Sequence, residues 1–293
     1  MPRKITQLLI VSGLLGGCIL ASAQSSDLFR LEYLRIPENN TGINTSRYRA
    51  LVNVPIKVNK RNYVVVGSEY NEFDIEFRKP APFDKSRVEQ LHIIDFNLGY
   101  ITEWNENWRL VGIVTPRIAS NLTGGISSDD LFFNATASFW KEAKDVQKPF
   151  RIVVGLSFNS TTGIPIPLPL VSYYRRFHPK WSYTLGIPKS NFRYHISKSH
   201  SLQLALLLDG YFINIQEDIQ LPEGEIGSRI SLSALVGTLL YQYNITKNMS
   251  FYATFGRSLI LEGTLRNDDR DDVFLLNNEA NLFLRGGFRI SIF

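Results

Sequence analysis

Alternation of oily and polar residues recurs along almost the whole chain. In Phe150-Arg151-Ile152-Val153-Val154-Gly155-Leu156-Ser157-Phe158, one face carries Phe150, Ile152, Val154, Leu156 and Phe158. The other carries Arg151, Val153, Gly155 and Ser157. Successive side chains of a strand point to opposite faces, so this is a two-faced strand and not a helix. The same pattern sets Tyr48, Ala50, Val52, Val54, Ile56 and Val58 against Arg47, Arg49, Asn53 and Lys57. It sets Ile94, Phe96, Leu98 and Tyr100 against Asp95, Asn97 and Gly99, and Phe133, Ala135, Ala137 and Phe139 against Asn134, Thr136 and Ser138. At the C-terminus, Leu284, Phe288, Ile290 and Ile292 oppose Arg285, Gly287, Arg289 and Ser291. Several such stretches run to ten residues or more. Soluble sandwich strands usually run about five or six, whereas about 9–11 tilted residues cross a bilayer.

The fold class expected is therefore all-β: a single antiparallel transmembrane β-barrel of about fourteen strands, with twelve as the alternative. A barrel spends only alternate strand residues on lipid, which agrees with 44% hydrophobic and 20% charged residues and a mean hydropathy of -0.07. Connections expected to be short, at 59–61, 103–107, 142–148, 178–180, 198–201 and 244–248, alternate with longer ones at 37–46, 76–90, 120–130, 160–167, 216–228 and 262–281. Short periplasmic turns and long external loops have this asymmetry. The connection between Ile187 and Phe192 breaks the rule by being short. Trp104, Trp108, Trp140, Trp181, Tyr243 and Phe293 fall near strand ends, where interfacial girdles place aromatic rings.

The N-terminus reads as an export signal over residues 1–23. Arg3 and Lys4 precede the apolar run Leu8 to Leu20, and Ala21-Ser22-Ala23 supplies a small-residue cleavage site. Residues 24–293 then form the barrel. The rival reading is a lipoprotein box, Leu15-Gly16-Gly17-Cys18, with Cys18 lipidated. Cys18 is the only cysteine, so cleavage after Ala23 leaves no thiol for disulfides or cysteine–zinc sites. Cleavage also takes two positive charges from a formal net charge of +5. A basic chain could bind nucleic acid, but export argues against it. The expected location is a Gram-negative outer membrane. The expected partners are its lipid and, through the C-terminal strand ending at Phe293, the insertion machinery. Phe293 itself is out of phase with Ile290 and Ile292.

Five short stretches carry a family resemblance: Leu31-Glu32-Tyr33, Asn53-Val54-Pro55-Ile56-Lys57, Leu98-Gly99-Tyr100, Gly155-Leu156-Ser157-Phe158 and Leu185-Gly186-Ile187-Pro188. The mature chain resembles the DUF6268 family of outer-membrane β-barrels from Bacteroidetes-type bacteria. The resemblance implies the barrel and the compartment. It supplies no substrate and carries over no functional residue.

Chemistry is sparse. No phosphate-binding glycine loop, H-E-x-x-H or G-x-S-x-G motif occurs. There are four histidines, and His195 with Ser197 is the one serine–histidine pair that could be drawn as a hydrolase site; it lacks an orienting acid. Asp268, Asp269, Asp271 and Asp272 could offer hard oxygen ligands to Ca²⁺, against the simpler reading of a solvated loop tip. No cofactor is expected. Ile164-Pro165-Ile166-Pro167-Leu168-Pro169-Leu170 removes three backbone donors and reads as a rigid loop or an inward constriction. The candidate lumen-lining residues are Arg47, Arg49, Lys57, Asp95, Arg151, Asp209, Arg285 and Arg289. Facing lipid, such charges cost about 2–4 kcal/mol at the midplane, so they belong inside. There they either select anions or pair with Asp95, Asp209 and Glu69 to brace a closed lumen. Three functions follow: passive transport of a small or hydrophobic solute through a narrow, partly basic lumen; a structural or interaction barrel with a plugged lumen and functional loops; and, as the third, an outer-membrane hydrolase.

Overall fold

The computed structural model describes residues 27–144, 146–159 and 166–292. The expected signal segment, Cys18, residues 160–165 of the 160–167 connection (with the start of the proline-rich stretch) and Phe293 lie outside them. The strands are β1 (Asp27–Ile36), β2 (Ile43–Lys57), β3 (Asn62–Phe77), β4 (Gln90–Glu103) and β5 (Trp108–Ser120). Then follow β6 (Leu131–Ala143), β7 (Phe150–Asn159), β8 (Leu168–His178), β9 (Trp181–Ile187) and β10 (Lys189–His195). The last are β11 (His200–Gln220), β12 (Ile226–Asn244), β13 (Met249–Arg266), β14 (Asp272–Asn277) and β15 (Leu282–Ser291). One short helix, α1 (Ser86–Glu89), precedes β4. No helix among the described residues is long and apolar enough to cross a membrane.

Consecutive strands pair antiparallel from β1 to β13, and β15 pairs with both β13 and β1, which closes the wall. β14 pairs only with the outer end of β13 and continues the line of β15 outward. The molecule is thus a closed antiparallel barrel of fourteen wall strands, and the alternative of twelve falls. Closure pairs both sides of the wall strands where they span, as a bilayer demands of a sheet that crosses it, and β14 keeps a free edge only above that band.

The alternation sorts the two faces as the sequence predicts. Outward, Tyr48 is 57% exposed and Val54 53%; inward on the same strand, Arg49 is 8% exposed. Val154 and Leu156 likewise stand exposed, while Val153 and Ser157 are buried. An aqueous surface would not keep so many large apolar side chains bare in register, whereas hydrocarbon covers them. Aromatic rings mark both rims of this band. Tyr33 and Tyr48 lie 4.9 Å apart at the outer rim. Trp181 with Tyr194 at 4.4 Å, and His200 with Tyr243 at 5.0 Å, lie at the periplasmic rim. Trp140 is a correction. Its position in β6 is in phase with Ser138, so it faces the interior, where its Nε1 donates to the Ser138 hydroxyl at 2.9 Å.

Two expected long loops are also corrected. β11 and β12 run on to Gln220 and from Ile226, leaving 221–225 as the connection, and β13 reaches Arg266 with β14 beyond it. Above the membrane the strands still gain by pairing their backbones and burying Ile219, Ile230 and Leu265 on their inner faces. The 187–192 connection is short, with Pro188 alone between β9 and β10. At seven residues each, those two strands end below the outer rim.

Candidate functional site

The interior falls into three layers. The outermost is dry. Phe73 and Ile75 on β3, Val88 on α1, Leu91 and Ile93 on β4 and Ala119 on β5 pack against Tyr211, Ile213, Ile215 and Ile219 on β11, Ile230 on β12 and Leu265 on β13. The path of β11 creates this seal. Its pairing with the β9–β10 hairpin ends at the Leu208 N–H donating to the Pro188 carbonyl at 3.1 Å. It then crosses the lumen and bridges β5 in parallel at Asn214 and Ser120. Gly210 sits at the departure, where an added Cβ would stand 2.2 Å from the Leu232 carbonyl oxygen. The opposite face of β11 is held by the β5–β6 connection. Asp130 accepts from Asn214 Nδ2 at 2.8 Å and from Gln216 Nε2 at 2.7 Å, and Phe132 meets Phe212 edge-on at 5.9 Å. Burial pushes the Asp130 carboxyl up, but donors from Ser127, Ser120, Asn214 and Gln216 outweigh it and hold the group below its usual range.

The middle layer is a lattice of ion pairs. Glu32 on β1 meets Arg47 at 3.3 Å, Arg49 at 3.9 Å and Arg285 at 3.6 Å, and accepts from the Tyr252 hydroxyl at 2.6 Å. Arg49 also reaches Glu69 at 2.8 Å, and Asn71 donates to the other oxygen of Glu69 at 2.9 Å. Asp209 reaches across the lumen from β11 to Arg47 at 3.5 Å and to Arg285. Beside this lattice, Arg117 makes a two-pronged contact with Asp95 at 2.6 and 2.7 Å. Apolar Leu34, Ile36, Ala234, Val236, Leu261 and Phe283 pack next to it.

The inner layer lines the β9–β12 arc and β15. Arg193 donates to Gln203 Oε1 through Nε at 3.1 Å and Nη2 at 2.6 Å. Arg289 donates to Gln242 Oε1 at 2.6 Å and to the Ser250 hydroxyl at 3.2 Å. Lys189 is in phase with Arg193 on the inward face of β10, opposite outward Phe192, yet stays exposed to water. Arg151 pairs with Glu142 at 2.6 Å and lies over the Trp140 ring at 5.4 Å.

Of the eight candidates, Arg47, Arg49, Asp209 and Arg285 thus meet in one lattice. Asp95, Arg151 and Arg289 stand apart from it, each with its own partner. Lys57 ends β2 in the open, 6.0 Å from the Tyr63 ring centre. Sequence reasoning missed Glu32, Arg117, Lys189 and Arg193. Glu32, between Leu31 and Tyr33, and Arg193, between Phe192 and Tyr194, carry the alternation signal. Arg117 follows Pro116, and Lys189 lies between Pro188 and Ser190, where that signal is broken. His195 bonds Ser182 at 3.0 Å, while the Ser197 hydroxyl accepts from the Ser199 and His200 N–H groups of its turn. The sequence pairing of His195 with Ser197 is therefore not made, and no carboxylate bonds His195 among the described residues. In the acidic loop, Asp268 is taken by Arg229 at 2.6 Å and Asp272 by Arg266 at 2.9 Å. No group of three or more potential ligands gathers for a metal among the described residues.

Three solved structures give the scale of likeness. The KdgM porin is 9% identical over 90% of this chain and 99% of that one, with a TM-score of 0.38. An outer membrane channel from Pseudomonas putida F1 is 12% identical over 90% and 94%, with a TM-score of 0.44. LpxR from Salmonella typhimurium is 6% identical over 90% and 100%, with a TM-score of 0.38. Likenesses this distant carry nothing about solute or activity. No curated protein matches the chain. The family profile described as Domain of unknown function (DUF6268) matches residues 37–291, nearly all of the barrel, and the chain belongs to that family.

Proposed function

We propose that the barrel is a passive channel in a Gram-negative outer membrane, carrying a small or hydrophobic solute through a narrow, partly basic lumen. The observation that carries this reading is Lys189, which points inward and is nevertheless wet. Water therefore reaches the interior below the seal. Export through the segment ending at Ala23, and insertion through the last strand, belong to the same reading. Transport of this kind needs no catalyst, and His195 without an acid gives the interior no triad.

A second reading, a plugged barrel that works through its external surface, is favoured by the dry layer around Ile213. Single-channel recording in a planar bilayer separates the two. Steady conductance from the folded protein supports transport. Silence from a folded sample supports the plug, and Ile213→Ser should then open a current by wetting the seal.

A further inference from the structure

The arginines of this barrel divide into two kinds. Arg47, Arg49, Arg117 and Arg285 end on carboxylates. Arg193 and Arg289 end on the neutral side-chain oxygens of Gln203 and Gln242, and neither they nor Lys189 forms a salt bridge among the described residues. An enclosed guanidinium normally gathers a carboxylate, because an unpaired charge away from bulk water is costly. Here three cations crowd one wall. Arg193 and Arg289 lie within electrostatic reach of each other, and Lys189 feels both, with Arg30 and Arg285 beyond. Asp27 is a carboxylate within electrostatic reach of Arg289, but it pairs with Arg30 and accepts from the Ser291 hydroxyl, and among the described residues no salt bridge joins it to Arg289. Glu32 and Asp209 are shared among Arg47, Arg49 and Arg285.

The glutamines set the geometry. Each amide oxygen holds one edge of its guanidinium and fixes the side chain without neutralising it. The remaining N–H groups and the Lys189 ammonium stay available to a ligand. Lys189 and Arg193 are four residues apart on one face of β10, about 13 Å along the strand. The cations thus form a track rather than a point. Strand pairing sets each arginine beside a neutral partner: Arg193 faces Gln203 across β10–β11, and Arg289 faces Ser250 across β13–β15.

We propose that Lys189, Arg193 and Arg289 form an anion-binding station in the lumen, for a small solute bearing carboxylate or phosphate groups. This rests on the channel reading for its role in transport, but the site itself can be tested without it. Folded protein is placed in a planar bilayer under a KCl gradient, with citrate then added to one side. A chloride-over-potassium permeability ratio of roughly 3 or more is expected, with partial block by citrate. The combined change Lys189→Gln, Arg193→Gln and Arg289→Gln should bring the ratio to about 1 or below and relieve the block. Arg193→Lys keeps the charge and should keep most of the selectivity, which a purely structural role for Arg193 would not predict. Conductance with no anion preference, or a preference that the triple variant retains, overturns the station and leaves the channel. A silent folded barrel overturns the channel. Citrate binding to the detergent-solubilised protein then decides the station: binding that weakens tenfold or more in the triple variant supports it, and no binding, or binding the variant keeps, overturns it.

Discussion

Arg117 donates two hydrogen bonds to the Asp95 carboxylate where their side chains are 5% and 3% exposed. Removing one partner of such a pair strands the other charge, at a cost of about 3–5 kcal/mol. Arg117→Ala should lower resistance to denaturant by that order, and Asp95→Leu added to Arg117→Ala should recover much of the loss. A double variant as unstable as the single one would show that the pair is not the origin of the effect. At this scale the sequence was readable wherever a charge alternated with large apolar neighbours. Asp95 between Ile94 and Phe96 announced its inward face. The partner did not announce itself: Arg117 follows Pro116, which interrupts the eye although not the register of β5 with β6. Lys189 and Arg193 were hidden for a related reason. Pro188 beside two seven-residue strands masks a hairpin whose alternation is otherwise intact.

β11 is the element whose behaviour departs most from a plain wall strand. Its stretch Tyr211-Phe212-Ile213 is apolar on both faces because one face enters the seal and the other meets Phe132. Period-two reading cannot distinguish that from a strand buried in any other way. Nor does any local signal in β11 name Ser120 as its parallel partner. What fixes the crossing from the other side is Asp130, buried and supplied with donors by Asn214 and Gln216. Its folded-state carboxyl is held below the usual value of 3.8. A depressed acid stabilises the folded form above its unfolded value, and that contribution disappears as pH falls through the lowered one. Protection of the Ser127 amide, whose N–H donates to Asp130 at 2.8 Å, taken relative to its intrinsic exchange rate at each pH, should therefore hold from neutral pH downward and fall only below about pH 4. Asp130→Asn should show weaker protection at neutral pH and lose that acid dependence. Protection insensitive to both acid and substitution would separate Asp130 from the docking of this loop.

For the molecule as a whole, the outer surface is the feature that the sequence displays most openly, and depth is the variable that tests it. Val154, in the middle of β7, and Val58, one residue past the periplasmic end of β2, are similarly bare at 50% and 59% exposure. In water, an arginine at either position would be close to neutral, since exposed sites away from caps and pairs change stability by about 0.5 kcal/mol or less. In a bilayer the two positions differ. An arginine facing hydrocarbon at the midplane costs about 2–4 kcal/mol, falling to about 0–1 kcal/mol near the interface. Val154→Arg should therefore destabilise the barrel refolded in lipid vesicles by several times more than Val58→Arg, measured by denaturant titration. The contrast depends only on the inside-out arrangement common to all fourteen wall strands, and on nothing about the solute or the seal. Equal, small effects at both positions would mean that water, not lipid, covers Val154, and the lumen would then have to be read as an ordinary core.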